Sequence, residues 1–161
     1  MSTQRSLAVI DIDGVVADVR HRLHHIEHRP KDWDGFFAAA RHDPPHPEGL
    51  AVVARLAEDH DIVFLTGRPE RYRADTEAWL AAHGIGGRPL HMRPSGTFRP
   101  AAEVKVEVLA RVAAGREVAV VVDDDPAVLA AMAAAGHPTF AADWADRSAV
   151  LHVAQEVEGR S

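Results

Sequence analysis

Three short apolar runs, Leu7-Ala8-Val9-Ile10, Asp61-Ile62-Val63-Phe64-Leu65 and Val118 to Val122, set the tightest limits on what this chain can fold into. Each is apolar without alternation, so each reads as a strand buried on both faces, the habit of a parallel sheet covered by helices on two sides. Between the runs the apolar residues change period. Leu50, Val53, Ala54 and Leu56, then Tyr72, Thr76, Trp79 and Leu80, then Val104, Val108, Leu109 and Val112 recur at helical spacing. Strand and helix therefore alternate, which gives an α/β fold of three layers around a central parallel sheet. Pro89-Leu90-His91-Met92 and Pro138-Thr139-Phe140 are weaker strand candidates and bring the expected sheet to about five strands. Pro69 and Pro126 stand where helices would start, and Gly84 and Gly136 follow helical runs as C-terminal stops.

From Asp18 to Pro47 the rhythm breaks into His, Arg and Pro, with a short helix expected around Asp32 to Ala40 and the next helix near Glu48. A connection this long after a first strand is more than a loop needs. It reads as a small cap or lid, at about 18–47, over the sheet edge where open α/β folds bind ligands. With 161 residues, 47% hydrophobic and 26% charged, the whole of 1–161 is expected to be a single domain. Such a chain buries roughly two-thirds of its unfolded surface and needs no staple. It has no Cys, which excludes disulfides, thiolate zinc sites and a cysteine nucleophile. Val118 to Val122 is far shorter than the ~20 residues of a membrane helix, and Asp11 and Asp13 interrupt the start before a signal-peptide core could form. A cytoplasmic protein without a membrane partner is expected. The net charge of -6 speaks against tight, sequence-blind binding of long nucleic acid. From Thr66 to Arg99, however, six arginines (Arg68, Arg71, Arg73, Arg88, Arg93, Arg99) face Glu70, Asp75 and Glu77, a local excess of +3 suited to an anion.

Asp11-Ile12-Asp13-Gly14 follows the first strand directly and Asp123-Asp124-Asp125 follows another, so at least four carboxylates are expected in one crevice. Two unit charges at about 4 Å repel by about 4 kcal/mol at an effective dielectric of 20, so the cluster needs protons or a cation. An all-oxygen site open to water and a phosphate suits Mg²⁺. For Asp125, which precedes Pro126, a helix cap is the competing reading. Phe64-Leu65-Thr66-Gly67-Arg68-Pro69 places a hydroxyl and a tight turn at another strand end, either a phosphoryl cradle or an ordinary strand-to-helix turn. Lys105, one of two lysines, reads on its own as a solvated helix residue.

Taken in order, Asp-x-Asp-Gly after a strand, hydrophobic-Thr-Gly-Arg, a Lys, and a strand ending in Asp-Asp resemble the four motifs of the haloacid dehalogenase superfamily of phosphatases, across residues 7 to 144. The resemblance implies a Rossmann-like fold and a Mg²⁺-dependent phosphomonoester hydrolase working through an aspartyl-phosphate. It makes Asp11 the nucleophile and Asp13 the general acid and base, with Thr66 and Lys105 holding the phosphoryl group. Asp11, Asp13 (through its backbone carbonyl), Asp123 and Asp124 would bind the metal. A receiver domain shares acids, a Thr and a Lys, but carries its acceptor Asp on the third strand, where this chain has Thr66.

Arg68-Pro69 followed by Tyr72-Arg73-x-x-Thr76-x-x-Trp79-Leu80, then Leu90-x-Met92-Arg93, is similar to the 3′-phosphatase domain of bacteriophage-type polynucleotide kinases. His21-Arg22-Leu23-His24-His25 with Lys31-Asp32-Trp33-Asp34-x-Phe36-Phe37 is similar to stand-alone members of that group. This resemblance implies a terminal 3′-phosphate of a nucleotide or oligonucleotide as substrate, with Gly67, Arg68, Arg71, Arg73 and Arg93 binding it. No Gly-x-x-x-x-Gly-Lys-Ser/Thr loop is present, so 5′-phosphorylation is not expected. No obligate protein partner is evident. The alternatives are a phosphatase of 5′-nucleotides or sugar phosphates and a non-catalytic phosphate- or nucleic-acid-binding module. His21, His24, His25 and His28 read as substrate contacts or surface rather than as a zinc site. Trp33, Phe36 and Phe37 at i, i+3, i+4 read as the lid's packing face, with base stacking as the other reading.

Overall fold

The computed structural model of the protein describes residues 4–161. Five strands, β1 (Leu7–Ile10), β2 (Asp61–Pro69), β3 (Leu90–Arg93), β4 (Val118–Asp123) and β5 (Thr139–Ala141), form one sheet in the order β3-β2-β1-β4-β5. Every neighbouring pair is parallel. The helices are α1 (His24–Glu27), α2 (Trp33–Ala38), α3 (Pro47–Asp59), α4 (Arg73–Ala82), α5 (Ala101–Ala113), α6 (Pro126–Ala134) and α7 (Ala149–His152).

The pleat of β1 sorts the core. Ala8 and Ile10 face Val53 of α3 and Trp79 and Leu80 of α4, whereas Leu7 and Val9 face Val104, Val108 and Leu109 of α5 and Val128 and Met132 of α6. Helices thus cover both sides, which is why the strands are apolar on both faces. β1 connects towards β2 on one side and β4 connects towards β5 on the other, so the sheet's switch point lies between β1 and β4. Both weak strand candidates are real, and Gly84 and Gly136 end their helices at φ of 75° and 91°. Pro126 opens α6 as expected. Pro69 does not open a helix: it is the last residue of β2, and a single helical turn, Glu70–Tyr72, precedes α4.

The segment at 18–47 is compact. Asp18 N–H donates to Pro44 O (2.8 Å) and His46 N–H to Val16 O (2.8 Å), so its two ends meet. Asp32 caps α2 through Gly35 N–H (2.9 Å). Phe36 and Phe37 are fully buried in a small core with Val19, Leu23 and Ile26, completed by Leu151 of α7 and by Ala154. The sequence patterns do not forecast this last contact between the insertion and the C-terminal helix.

Gly49 marks how closely α3 lies on the turn after β1. A Cβ there would stand 1.8 Å from the Val15 carbonyl oxygen. Gly49→Ala should therefore lower stability by about 1–3 kcal/mol, the usual cost of overpacking, in chemical denaturation at constant m-value. A variant as stable as the parent would show that α3 can move off the turn.

Candidate active site

β1 and β4 are hydrogen-bonded neighbours, with Ile10 opposite Val122, so Asp11 and Asp123 emerge side by side at the C-terminal edge of the sheet. Asp11, Asp123 and Asp124 each offer a carboxylate oxygen within 4.8 Å of the others, and all three residues are buried. Gly14 makes the convergence possible. It sits at φ +82°, and a Cβ there would lie 2.2 Å from Asp124 Oδ2.

Lys105 reaches this cluster from α5. Its Nζ donates to Asp123 Oδ2 at 2.7 Å and pairs with Asp11 Oδ1 at 3.0 Å. Its isolated reading as a solvated helix residue fails because α5 crosses the sheet with that side chain turned inward, and only 4% of the residue is exposed. Burial alone would pull its pKa down, but Asp11 and Asp123 more than reverse this and hold it above the usual lysine range. One ammonium does not neutralise three carboxylates. Burial and the neighbouring Asp123 raise Asp11 well above the carboxylate range, and burial and Asp123 push Asp124 up to about 7 against the pull of Arg147. Asp11 Oδ2 and Asp124 Oδ1 are buried without a hydrogen-bond partner. Orphaned, crowded oxygens of this kind are the donor set of a hard divalent cation, so the residues fit Mg²⁺.

Asp13 has a different environment. Its Oδ1 accepts from Arg22 Nη2 (2.9 Å) and from Arg68 Nη2 (2.6 Å) and Nε (3.0 Å). Burial would raise its pKa, but Arg68 and then Arg22 overcome this and hold it at about 2. Its Oδ2 is buried and free. The side chain of Asp13 is therefore not part of the carboxylate cluster, although its backbone carbonyl accepts no backbone hydrogen bond among the described residues. Both arginines also bind Asp43, Arg22 through Nε (2.8 Å) and Arg68 through Nη2 (3.1 Å). His21 Nε2 lies 2.6 Å from Asp43 Oδ1. Of the other insertion histidines, His24 approaches the His21 carbonyl and His25 approaches Asp32.

Thr66 Oγ1 accepts from Arg68 N–H at 3.2 Å, inside the tight turn at the end of β2. Gly67 is crossed closely by the backbone of Ser161, which a Cβ would meet at 2.1 Å. Arg93 is buried beside the turn and, among the described residues, donates only to carbonyls: Gly67 O (3.1 Å), Arg99 O (2.6 Å) and Ser161 O (3.1 Å). With no carboxylate bonded to it, burial lowers its pKa to about 10. Asp125 is the cap of α6, accepting from Ala127 N–H at 2.9 Å.

The surface arginines are largely spoken for. Arg73 pairs with Glu70 and Glu77 (2.5 and 3.1 Å), Arg99 with Glu103 and Glu107 (3.2 and 2.7 Å), and Arg71 with Asp34 (3.1 Å). The local positive excess is thus mostly neutralised by these partners, and Arg73 also donates to the Leu90 carbonyl at 2.9 Å. Three residues of the site escaped the sequence reading: Arg22, Asp43 and Arg147, whose Nη1 donates to Asp124 Oδ2 at 3.1 Å. For Arg22 and Asp43 the available signal was the density of charge in the insertion; Arg147, far outside it, had none.

A cluster of buried carboxylates paired with a lysine, beside a hydroxyl turn at the switch point of a five-stranded parallel sheet, is the setting of a phosphatase domain of the haloacid dehalogenase class. The match of residues 5–146 to the family described as the polynucleotide kinase PNKP phosphatase domain is more specific, and the chain belongs to that family. Comparison with curated proteins found no match. Among solved structures, the chain is similar to part of the Pnkp1/Rnl/Hen1 RNA repair complex, with TM-score 0.73 and 20% identity, covering 91% of this chain and 46% of that one. It thus spans about half the length of that relative. A haloacid dehalogenase-like hydrolase of Streptococcus pneumoniae matches at TM-score 0.65 and 10% identity over 92% of this chain and 90% of its own. A hydrolase of the same class from Bacillus subtilis, solved bound to magnesium, matches at TM-score 0.62 and 6% identity over 85% and 88%. No helix among the described residues is long and apolar enough to cross a membrane.

The crowded cluster has a consequence for stability. Folded Asp124 keeps its proton up to about pH 7, whereas an unfolded Asp loses it near 3.8, so the folded state binds more protons in that window. Stability in EDTA should therefore fall as pH rises from about 4 to 7 and level off above. Mg²⁺ should raise the Tm more at pH 8 than at pH 5. Thermal melts showing no pH dependence in chelator, and no larger Mg²⁺ effect at high pH, would contradict the charge balance described.

Proposed function

We propose that this domain hydrolyses terminal phosphomonoesters of nucleotides or short oligonucleotides, 3′ in preference to 5′, through a phosphoryl group carried on Asp11. The observation that carries the proposal is the split state of Asp11: Oδ1 is held by Lys105 while Oδ2 is buried and unbonded beside Asp123 and Asp124.

The residues divide the work as follows. Asp11 Oδ2 attacks phosphorus as the bond to the leaving oxygen breaks. Lys105 and the Thr66 hydroxyl, with the N–H groups of its turn, hold the equatorial oxygens. Asp11, Asp123 and Asp124, with the Asp13 carbonyl, would bind Mg²⁺, which supplies charge neutralisation at the transferring group. Asp13 Oδ2 is the atom free to give a proton to the leaving oxygen and then to take one from the water that attacks the aspartyl-phosphate, releasing phosphate and restoring Asp11. At a pKa of about 2, Asp13 is ionised before substrate arrives, which suits the second step. To act as the acid in the first step, Asp13 must first take up a proton: the incoming phosphate raises its pKa, the monoanionic phosphate or solvent supplies the proton to Oδ2, and Oδ2 passes it to the departing alkoxide.

Arg22 and Arg68 orient Asp13, Asp43 in turn holds both arginines, and His21 holds Asp43. The segment at 18–47 acts as a lid within a single domain, bringing Arg22 and Asp43 over the sheet edge. Because Arg73 and Arg99 are already paired, the free positive surface is small, so long duplexes should add little and affinity should fall only shallowly with salt. The family assignment and the magnesium in the Bacillus subtilis hydrolase support the substrate class and the metal. The absence of Cys agrees with a cytoplasmic setting.

Asp11→Asn should lose at least 10³-fold in kcat on every phosphomonoester while melting like the parent. Asp13→Asn should be crippled on alkyl and nucleoside phosphates but far less on an aryl phosphate, whose phenolate leaves without a proton. EDTA should abolish turnover and Mg²⁺ restore it. An active Asp11→Asn protein would remove the covalent route, and a sugar phosphate turned over tenfold better than any nucleotide would remove the strand-end assignment.

A further inference from the structure

Next to the phosphate turn lies a cavity of about 130 Å³ that the chemistry above does not use. Its walls are Trp33 and Phe37 of α2, Arg71, Arg93, and the loop after β3 that carries Phe98. It is comparable in size to the engineered cavity of roughly 150 Å³ known to accept one benzene ring. Arg93 links it to the reacting centre, since the same guanidinium that lines the cavity donates to Gly67 O at 3.1 Å.

The Arg160 guanidinium stands in this cavity with its carbon 4.3 Å from the centre of the Phe98 ring and 5.4 Å from the Trp33 ring. Among the described residues it makes no side-chain hydrogen bond or ion pair, so the two ring faces are its recorded side-chain partners. Phe98 is 57% exposed. This part-exposed ring stands on the rim of the cleft with the Arg160 guanidinium over its face. Phe36 and Phe37 are buried in the insertion's own core, but Trp33 is only half buried. Of the aromatic triplet, Phe36 serves the core alone, while Phe37 and the more exposed Trp33 join that core to the cavity wall.

We infer that the cavity between Trp33 and Phe98 is a nucleobase subsite, in which the base of the substrate's terminal nucleotide takes the place now held by the Arg160 guanidinium. The slot already accepts a flat group against two aromatic faces, which is the geometry of base stacking on protein rings. No acidic side chain lines it among the described residues, and Arg71, Arg93 and Arg160 do. A sugar would want carboxylate or amide acceptors, and an amine would want an acid. A base tethered to phosphodiester oxygens is served by rings and guanidinium groups. The inference rests on the strand-end reading given above and adds where specificity for a nucleotide would reside.

The test compares kcat/KM for a single-stranded trinucleotide 3′-phosphate with the same molecule lacking only its terminal base, for the parent and for Phe98→Ala. Phe98 is exposed, so its loss should leave the fold and the turnover of the abasic substrate unchanged. The parent should prefer the intact end about tenfold, equivalent to about 1.4 kcal/mol, and Phe98→Ala should reduce the preference below threefold. Equal turnover of the two substrates by the parent, or a preference undiminished in Phe98→Ala, would overturn the subsite while leaving the phosphatase proposal standing. If neither trinucleotide is hydrolysed, the strand-end reading fails, and tryptophan fluorescence still decides the subsite. Quenching by the intact trinucleotide but not the abasic one, lost in Trp33→Phe, supports it; equal quenching by both, or quenching retained in Trp33→Phe, rejects it.

Discussion

Three buried carboxylates with oxygens within 4.8 Å of one another are the constraint around which this domain is organised. A parallel sheet puts them there: β1 and β4 run side by side and end at the same edge, and Gly14 leaves the space in which Asp124 joins Asp11 and Asp123. Their mutual repulsion is large in a buried setting. Lys105 offsets part of it, Arg147 holds one oxygen of Asp124, and the remainder appears as the raised pKa values of Asp11 and Asp124 and as oxygens without partners. A set of crowded, unpartnered carboxylate oxygens of this kind fits a divalent cation.

The insertion after β1 supplies the other half of the electrostatics. Arg22 and Asp43 come from its two ends, close against Arg68 of the β2 turn, and together they fix Asp13 in a charge-paired network that is almost wholly buried. Such a network is costly to leave half made. The small core of the insertion, closed by Leu151 and Ala154 from the C-terminal helical segment, holds these charges in register. Packing far along the chain thereby reaches Asp13. Lys31, which pairs with Glu158, joins the same two segments a second time.

Much of this was legible in the sequence, and the reasons are local. Leu7 to Ile10 and Val118 to Val122 read as buried strands because nothing else explains unbroken apolar runs of that length beside helical periods, and the acids that follow them could only lie at the sheet edge. Of the two readings left open for Asp125, the structure shows the helix cap, which the proline after it allowed for. What stayed hidden depended on pairing across the fold. Arg22 and Asp43 are 21 residues apart, and neither has a pattern that marks it as buried. The arginines from Arg71 to Arg99 read as a patch because the acids that neutralise them, Asp34, Glu103 and Glu107, lie outside that window. Pro69 read as a helix start, but β2 continues through the phosphate turn to that residue before the chain can bend.

The central claim is that Asp11 carries the phosphoryl group between two in-line displacements. Each displacement inverts phosphorus, so the covalent route retains configuration overall, whereas direct attack by water inverts it once. The decisive measurement is the stereochemical outcome with a phosphomonoester made chiral at phosphorus by oxygen isotopes and sulfur. Retention in the released thiophosphate is the result this account predicts. Inversion would show that water attacks the substrate itself and that Asp11 serves only to position it.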